Sequence, residues 1–129
     1  IFLMSKNPRY YFDSEAIKEP VKTKTKKSTG EYYESRNKRS VWNVPTRPYK
    51  EAHFATFPPD LIEPCILAGS PTGGMVLDPF GGSGTTGMVS DLLGRNATLI
   101  ELNPEYIKIA ENRIEQANPR LNSDMFKFD

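Results

Sequence analysis

A glycine-rich stretch beside a short apolar run constrains the fold of this 129-residue chain more than any other feature. Residues 78–87 read Asp-Pro-Phe-Gly-Gly-Ser-Gly-Thr-Thr-Gly, and the apolar run at residues 75–78 leads directly into them. A short apolar run that ends in a carboxylate is typical of a parallel strand buried on both faces. Glycines then allow the tight turn from a strand into a helix. The sequence therefore predicts a strand, a turn and a helix in this order.

The rest of the second half continues this alternation. The helix after the turn is predicted to start near Gly84 and to stop at Gly94. Its apolar face consists of Met88, Val89, Leu92 and Leu93. Residues 97–101 predict a second parallel strand, and residues 60–68 an earlier helix with a kink at Pro64. Asn103 and Pro104 open a last helix, whose apolar stripe consists of Ile107, Ala110, Ile114 and Ala117. Together these elements predict an α/β fold: a parallel sheet with flanking helices.

The first half differs in charge and pattern. Residues 1–50 carry twelve Lys and Arg against five Asp and Glu, whereas residues 51–129 carry five against eleven. Eight of the fourteen aromatic residues lie in this basic half, and aromatic rings mixed with cations are typical of nucleic-acid surfaces. For the lysines between residues 22 and 27 alone, a solvated tail is an equally good interpretation. Short strands are predicted at residues 1–4, 10–12 and 41–44, with a loop over residues 19–40.

Composition excludes other classes of protein. No apolar run approaches the roughly 20 residues that a membrane-spanning helix needs, and we expect no export signal. The one cysteine, Cys65, can form neither an internal disulfide nor a metal cluster. We therefore expect a cytoplasmic protein without a metal site.

The glycine turn lies where open α/β sheets bind ligands, beyond the carboxyl end of a strand. Gly82, Gly84 and Gly87 match the pattern G-x-G-x-x-G, and Glu101 follows at the tip of the next strand. A carboxylate at this position can accept both hydroxyls of an adenosine ribose. No Lys-Ser or Lys-Thr pair is present in the turn, which excludes a nucleoside-triphosphate loop. A nicotinamide cofactor and another adenosine-containing ligand both remain possible, although only 28 residues follow Glu101.

Three stretches together resemble the C-terminal part of bacterial and phage DNA amino-methyltransferases, which methylate adenine N6 or cytosine N4. They are Arg-Ser-Val-Trp-Asn-Val-Pro-Thr-Arg-Pro-Tyr-Lys-Glu-Ala-His-Phe-Ala-Thr-Phe-Pro-Pro at residues 39–59, Val-Leu-Asp-Pro-Phe-Gly-Gly-Ser-Gly-Thr-Thr-Gly at residues 76–87, and Ile-Glu-Leu-Asn-Pro-Glu-Tyr at residues 100–106. Their order is that of the beta class, a permuted arrangement in which the cofactor half comes last. The resemblance covers residues 1 to about 117. It implies a partial Rossmann-like methyltransferase sheet, S-adenosylmethionine as cofactor and double-stranded DNA as partner.

The resemblance also implies roles for single residues. The loop for the methionine end of the cofactor would comprise Asp78, Pro79, Phe80, Gly82, Gly84 and Thr85. Glu101 would hold the ribose, with Asn103 beside it. The segment that closes over the cofactor from the other side would be His53, Phe54, Ala55, Thr56 and Phe57. The contacts to DNA would come from Lys22, Lys24, Lys26, Lys27, Arg36, Lys38, Arg39 and Arg47. Residues 1–18 would be terminal strands of the catalytic half, 19–50 the DNA-facing region and 51–129 the cofactor-binding portion.

One motif of that family is absent from the sequence. Enzymes of this kind grip the flipped base with Asp, Ser or Asn followed by Pro-Pro and an aromatic residue. The only Pro-Pro pair here, Pro58-Pro59, has its neighbours in the wrong order. In the beta class the motif lies upstream of residue 1, so we expect the back half of a longer methyltransferase, whose partner is the missing N-terminal half. The alternatives are a non-catalytic remnant that binds DNA or cofactor and, more remotely, a fragment of an NAD-dependent oxidoreductase.

Overall fold

The computed structural model describes residues 1–22, 26–45 and 56–117. Their helices and strands are β1 (Glu19–Pro20), β2 (Ser35–Arg36), α1 (Pro59–Gly69), β3 (Met75–Asp78), α2 (Thr85–Leu92), β4 (Asn96–Leu99) and α3 (Pro104–Ala117). Strands β3 and β4 pair in parallel, and α2 packs against β4 and both other helices. The predicted α/β fold is thereby confirmed. Within the described ranges, no helix has the length and apolar character needed to cross a membrane.

Local signals fix helix α1. The chain enters it through Pro58 and Pro59, which suit a helix start because proline lacks only a donor that is unpaired there. The helix ends at Gly69, where the N–H of Ser70 donates to the carbonyl of Ile66 at 3.0 Å. The predicted bounds are confirmed to within one residue at each end. The helix runs through Pro64 without interruption, so the proline costs one backbone hydrogen bond but does not divide the element.

The buried side of α2 is smaller and more polar than predicted. Val89 is buried, but Leu92 is 57% exposed and Ser90 is fully buried. The helix is enclosed by α1, α3 and β4, so small side chains occupy the positions where neighbours approach closely. The expectation of one apolar face is wrong at Leu92, which is the last residue of the helix.

Strand β3 is partly covered on one face and open on the other in the part of the chain that the structure describes, and β4 is exposed except at Leu99. Met75 and Leu77 on β3 remain 67% and 63% exposed, so the prediction of burial on both faces is wrong here. Strand β4 ends at Leu99, two residues before the predicted end, because Glu101 already belongs to the turn that caps α3.

The first half differs from the prediction in two ways: the predicted strands are absent among the described residues, and two short strands occur where a loop was predicted. Residues 1–4, 10–12 and 41–44 are irregular, against the prediction, because a strand needs a partner and they have none among the described residues. The described residues between 19 and 40 are not a plain loop. Strands β1 and β2 pair antiparallel there, and Lys26 and Tyr32, which lie between the two strands in the chain, form an isolated bridge. Such short pairings leave no alternating pattern in the sequence, so the prediction missed them.

Candidate functional site

The carboxylate of Asp78 ties the end of β3 to the start of α2. Its Oδ1 accepts a hydrogen bond from the N–H of Phe80 at 3.0 Å, and its Oδ2 accepts one from the hydroxyl of Thr86. Both oxygens are thus engaged within the turn. Thr86 was not among the predicted residues, although its place in the first turn of the helix, eight residues after Asp78, was an available signal.

Glu101 joins the glycine turn to the start of α3. Its Oε2 accepts from the N–H of Gly82 at 2.8 Å, and its Oε1 accepts from the N–H groups of Leu102 and Asn103 at 2.9 and 2.8 Å. The amide of Asn103, with those of Gly82 and Leu102, lowers the pKa of Glu101, while partial desolvation opposes the shift. The carboxylate is therefore ionised at neutral pH.

Two glycines of the turn have positive φ angles but different surroundings. At Gly82 the φ angle is +50°, and a β-carbon would meet nothing nearer than the carbonyl oxygen of Phe80 at 3.9 Å. At Gly84 the φ angle is +78°, and a β-carbon would lie 2.7 Å from that of Ala110 on α3. One side of the turn is consequently open, whereas the other is closed by a helix.

Helix α3 also contacts the turn through Arg113, which sequence reasoning missed. The Nη1 group of Arg113 donates to the hydroxyls of Ser83 and Thr85 at 3.0 and 2.8 Å, and to the carbonyl of Ser83 at 3.3 Å. Its position three residues after Ala110, beside the apolar stripe of the helix, was the one available hint.

Most of the predicted cofactor residues come together at this turn. They are Asp78, Pro79, Phe80, Gly82, Gly84, Thr85, Glu101 and Asn103. The side-chain oxygen of Asn103 accepts from the N–H of Glu105 at 2.9 Å, which confirms it as the cap of α3. Phe57 lines a cavity of about 450 Å³ together with Asp78. Thr56 directly precedes it, while His53, Phe54 and Ala55 lie outside the described residues.

A second cleft opens beside Glu101, between the turn and α3. Its volume is about 370 Å³, and its lining consists of Gly81, Gly82, Leu99, Ile100, Glu101, Ile107, Ala110, Glu111 and Ile114. Most of its side chains are apolar, and Glu101 and Glu111 contribute the carboxylates, a composition typical of pockets that bind small molecules. No group of three potential metal-ligating side chains occurs in the described ranges.

Three of the predicted DNA-contacting cations converge on Glu19. The distances to its carboxylate are 3.6 Å from Arg36, 3.8 Å from Lys38 and 3.0 Å from Arg39. Desolvation raises the pKa of Glu19, but the hydrogen bond and charge of Arg39, with the charge of Lys38, outweigh it and lower the pKa. One carboxylate cannot neutralise three cations, so the cluster keeps a net positive charge. Lys38 also lies 4.9 Å above the ring of Trp42.

The other predicted DNA contacts are more dispersed. Lys22 and Lys26 are exposed, whereas Lys27 pairs with Glu31 at 3.2 Å and lies 5.6 Å from the ring centre of Tyr33. Lys24 and Arg47 lie outside the described residues.

Comparison with known proteins decides the family. A sequence model described as DNA methylase, of the N6 and N4 type, matches residues 1–112. The chain belongs to this DNA methylase family. It is 50% identical over 115 residues to the Type II methyltransferase M.Cfr9I of Citrobacter freundii, covering 89% of this chain and 35% of that relative. It is 49% identical over 114 residues to M.SmaI of Serratia marcescens, covering 88% and 37%.

A solved structure of the same kind supports this DNA methylase assignment. The M1.HpyAVI–SAM complex aligns with a TM-score of 0.50 and 31% identity, over 60% of this chain and 42% of that one. The predicted resemblance and the Rossmann-like methyltransferase fold are confirmed. The chain spans about a third of the length of the two curated relatives described above.

Proposed function

We propose that this chain forms the cofactor-binding portion of a DNA methyltransferase, acting on the exocyclic amine of adenine or cytosine. The observation that carries the proposal is the contact between the open glycine turn and the ionised Glu101, in a chain of the DNA methylase family. Family membership favours this reaction over hydride transfer with a nicotinamide. S-adenosylmethionine supplies the methyl group when it is bound, and the chain's own residues bind and orient it.

The residues of the turn suit such a cofactor. Gly82 leaves room for a ligand to approach its backbone closely. An ionised carboxylate offers about four acceptor positions, and three N–H groups already occupy Glu101. By this count one position, on Oε2, would remain for a ribose hydroxyl. The cleft of about 370 Å³ beside it falls in the usual range for small-molecule sites, and we assign the adenosine to it.

The methionine end would then lie over the turn from Asp78 to Thr85, with Pro79, Phe80, Gly82 and Gly84 forming its floor. Phe57 lines the cavity of about 450 Å³ together with Asp78 and Thr86, which supports a closing role for Phe57.

Residues 19–50 would face double-stranded DNA. The cluster around Glu19 and the exposed Lys22 and Lys26 offer cations for phosphate contacts, which account for most nucleic-acid affinity. The aromatic rings of Tyr33 and Trp42, each under a lysine, would lie at the edge of this surface.

Direct attack of the amine on the methyl group would need no covalent enzyme intermediate. Cys65 fits this scheme because it is not placed as a nucleophile. Its thiol donates to the carbonyl of Leu61 at 3.6 Å within α1. Burial raises its pKa, and the weaker influences of the N-terminal amine and Lys38 only oppose that shift.

The remainder of the protein would supply the base-gripping motif. We assign its docking site to the open face of β3, where Met75 and Leu77 are exposed, because isolated apolar strands of this kind are normally covered. The relatives are about three times as long as the matched stretch, which leaves ample chain for this purpose. We expect cytoplasmic location, and no methyl transfer by these 129 residues alone.

Calorimetric titration with S-adenosylmethionine tests the proposal, with NADH titrated in parallel. The chain should bind the former saturably, and Asp78→Ala and Glu101→Ala should abolish binding. Glu63→Ala, which removes an exposed carboxylate from α1, is the control and should bind as the unmodified chain does. Binding of NADH in place of S-adenosylmethionine would contradict the proposal. Methyl transfer to DNA by the chain alone would contradict the need for a second part.

A further inference from the structure

A cation of α3 contacts the back of the glycine turn. Arg113, on the third turn of α3, donates from Nη1 to Ser83 and Thr85 at 2.8–3.3 Å. Ser83 and Thr85 are 5% and 3% exposed, so their hydroxyls are shielded from solvent. Gly82, which precedes them, has its N–H on Glu101 and its α-carbon facing open space. The turn therefore has an anchored side and an open side.

A turn with this composition needs an external anchor. Glycine loses more backbone freedom on ordering than any other residue, and three of the four residues from Gly81 to Gly84 are glycines. If the turn were disordered before binding, the cost of ordering it would be subtracted from the affinity for the ligand. A guanidinium group from outside the turn is well suited to hold it, since hydrogen bonds from a charged donor are stronger than those between neutral groups.

We propose that Arg113 is a positioning residue for the cofactor site. It does not contact the cofactor. Through the hydroxyls of Ser83 and Thr85 it keeps the turn in the conformation that places the amide of Gly82 on Glu101. The inference rests on the proposed function, because it assumes that the ligand of the turn is S-adenosylmethionine.

The test compares two arginines in the complete 129-residue chain. Arg113→Met removes the anchor. Arg95→Met is the matched control, because Arg95 donates to the carbonyls of Ser70 and Leu93, at the far end of α2 from the turn. Both variants lose partly buried hydrogen bonds and should unfold at lower urea concentrations. Only Arg113→Met should weaken the binding of S-adenosylmethionine by folded protein, by about tenfold, the factor that corresponds to one charge-assisted hydrogen bond.

A double-mutant cycle distinguishes positioning from general stability. In a background with Ser83→Ala and Thr85→Val, Arg113 loses both hydroxyl partners, through which we propose that it acts, and keeps the longer hydrogen bond of 3.3 Å to the carbonyl of Ser83. Arg113→Met should then change the cofactor affinity by less than about twofold. This background also pairs the methionine with apolar groups instead of unsatisfied hydroxyls, so the triple variant should fold even where Arg113→Met does not. Equal effects of Arg113→Met in both backgrounds, or an affinity loss matched by Arg95→Met, would overturn the proposal.

Amide hydrogen exchange separates this proposal from the proposed function. Exchange at residues 81–86 should be at least about tenfold faster in Arg113→Met than in the unmodified chain, and unchanged in Arg95→Met. If the unmodified chain binds no S-adenosylmethionine but shows this pattern, the proposed function fails while the anchoring role stands. Unchanged exchange in Arg113→Met would overturn the anchoring role whatever the ligand.

Discussion

Two glycines with nearly equal, positive φ angles allow the packing of α3 on the turn to be tested. Gly73 and Gly84 have φ angles of +77° and +78°. A β-carbon added at Gly73 would meet no heavy atom within 4 Å, whereas one at Gly84 would lie 2.7 Å from the β-carbon and 2.9 Å from the α-carbon of Ala110. Both substitutions, Gly73→Ala and Gly84→Ala, therefore place a β-carbon on a residue with positive φ, but only Gly84→Ala adds a steric clash with Ala110.

The magnitudes follow from this difference. A left-handed conformation costs a residue with a β-carbon roughly 1–2 kcal/mol, so Gly73→Ala should lower the free energy of unfolding by about 1 kcal/mol. Overpacking a tight contact typically adds roughly 1–3 kcal/mol, because backbone atoms at 2.9 Å cannot move as the end of a flexible side chain can. Gly84→Ala should therefore cost about 2–4 kcal/mol in total.

Urea unfolding followed by circular dichroism measures both values. Ala110→Gly in the Gly84→Ala background should restore part of the loss, since it removes the nearer atom but leaves the α-carbon in place. Equal destabilisation by Gly73→Ala and Gly84→Ala would refute the inferred close approach of α3 to the turn. So would strict additivity of the two substitutions at Gly84 and Ala110.

Three further predictions concern single polar groups. Ser90→Ala should raise the free energy of unfolding by about 1 kcal/mol, because the fully buried hydroxyl of Ser90 has no hydrogen-bond partner within the described residues. A lower free energy of unfolding in urea denaturation would contradict this prediction. The backbone amide of Asn103, with those of Gly82 and Leu102, lowers the pKa of Glu101. The ionised carboxylate therefore stabilises the folded chain fully at pH values above the usual pKa of glutamate, and this stabilisation is lost as the pH falls through the lowered pKa. The stability difference between the unmodified chain and Glu101→Gln should accordingly shrink from pH 7 to pH 3, and a constant difference would refute the cause. Glu19→Gln should tighten binding to duplex DNA, because Arg39 and the neighbouring cations lose their carboxylate partner. The dependence of the binding constant on salt concentration should become steeper by up to the amount that corresponds to about one additional phosphate contact. Anisotropy titrations at several salt concentrations would show weaker binding instead if Glu19 mainly orients these cations.

The elements that could be predicted are those whose ends are marked by residues within the element or next to it, such as proline, glycine or a carboxylate. Helices α1 and α3 begin at Pro59 and Pro104, and α1 ends at Gly69, as the local rules for proline and glycine require. Strand β3 has the predicted bounds because its apolar run is closed by Asp78 and the glycine turn. Each of these boundaries depends on backbone geometry within a few residues.

The polar framework of the site could not be predicted, since it depends on partners far apart in the chain. Thr86 reaches Asp78 over eight residues, and Arg113 reaches Ser83 over thirty. Periodicity identifies the apolar stripe of α3, but it does not show that the stripe lies against the turn. The antiparallel pairing of β1 with β2 was missed for a similar reason, because two paired residues carry no pattern.

The incorrect prediction that β3 is buried on both faces is more informative than the predictions that were confirmed. Its sequence has the apolar composition of a strand covered on both faces, yet Met75 and Leu77 are largely exposed in the part of the chain that the structure describes. The composition of β3 is typical of a strand covered on both faces, whereas the exposure is that found among the described residues. The disagreement between them falls on the same strand that leads into the glycine turn. A segment packed on this face would lie against the strand that leads into Asp78 and the proposed cofactor site.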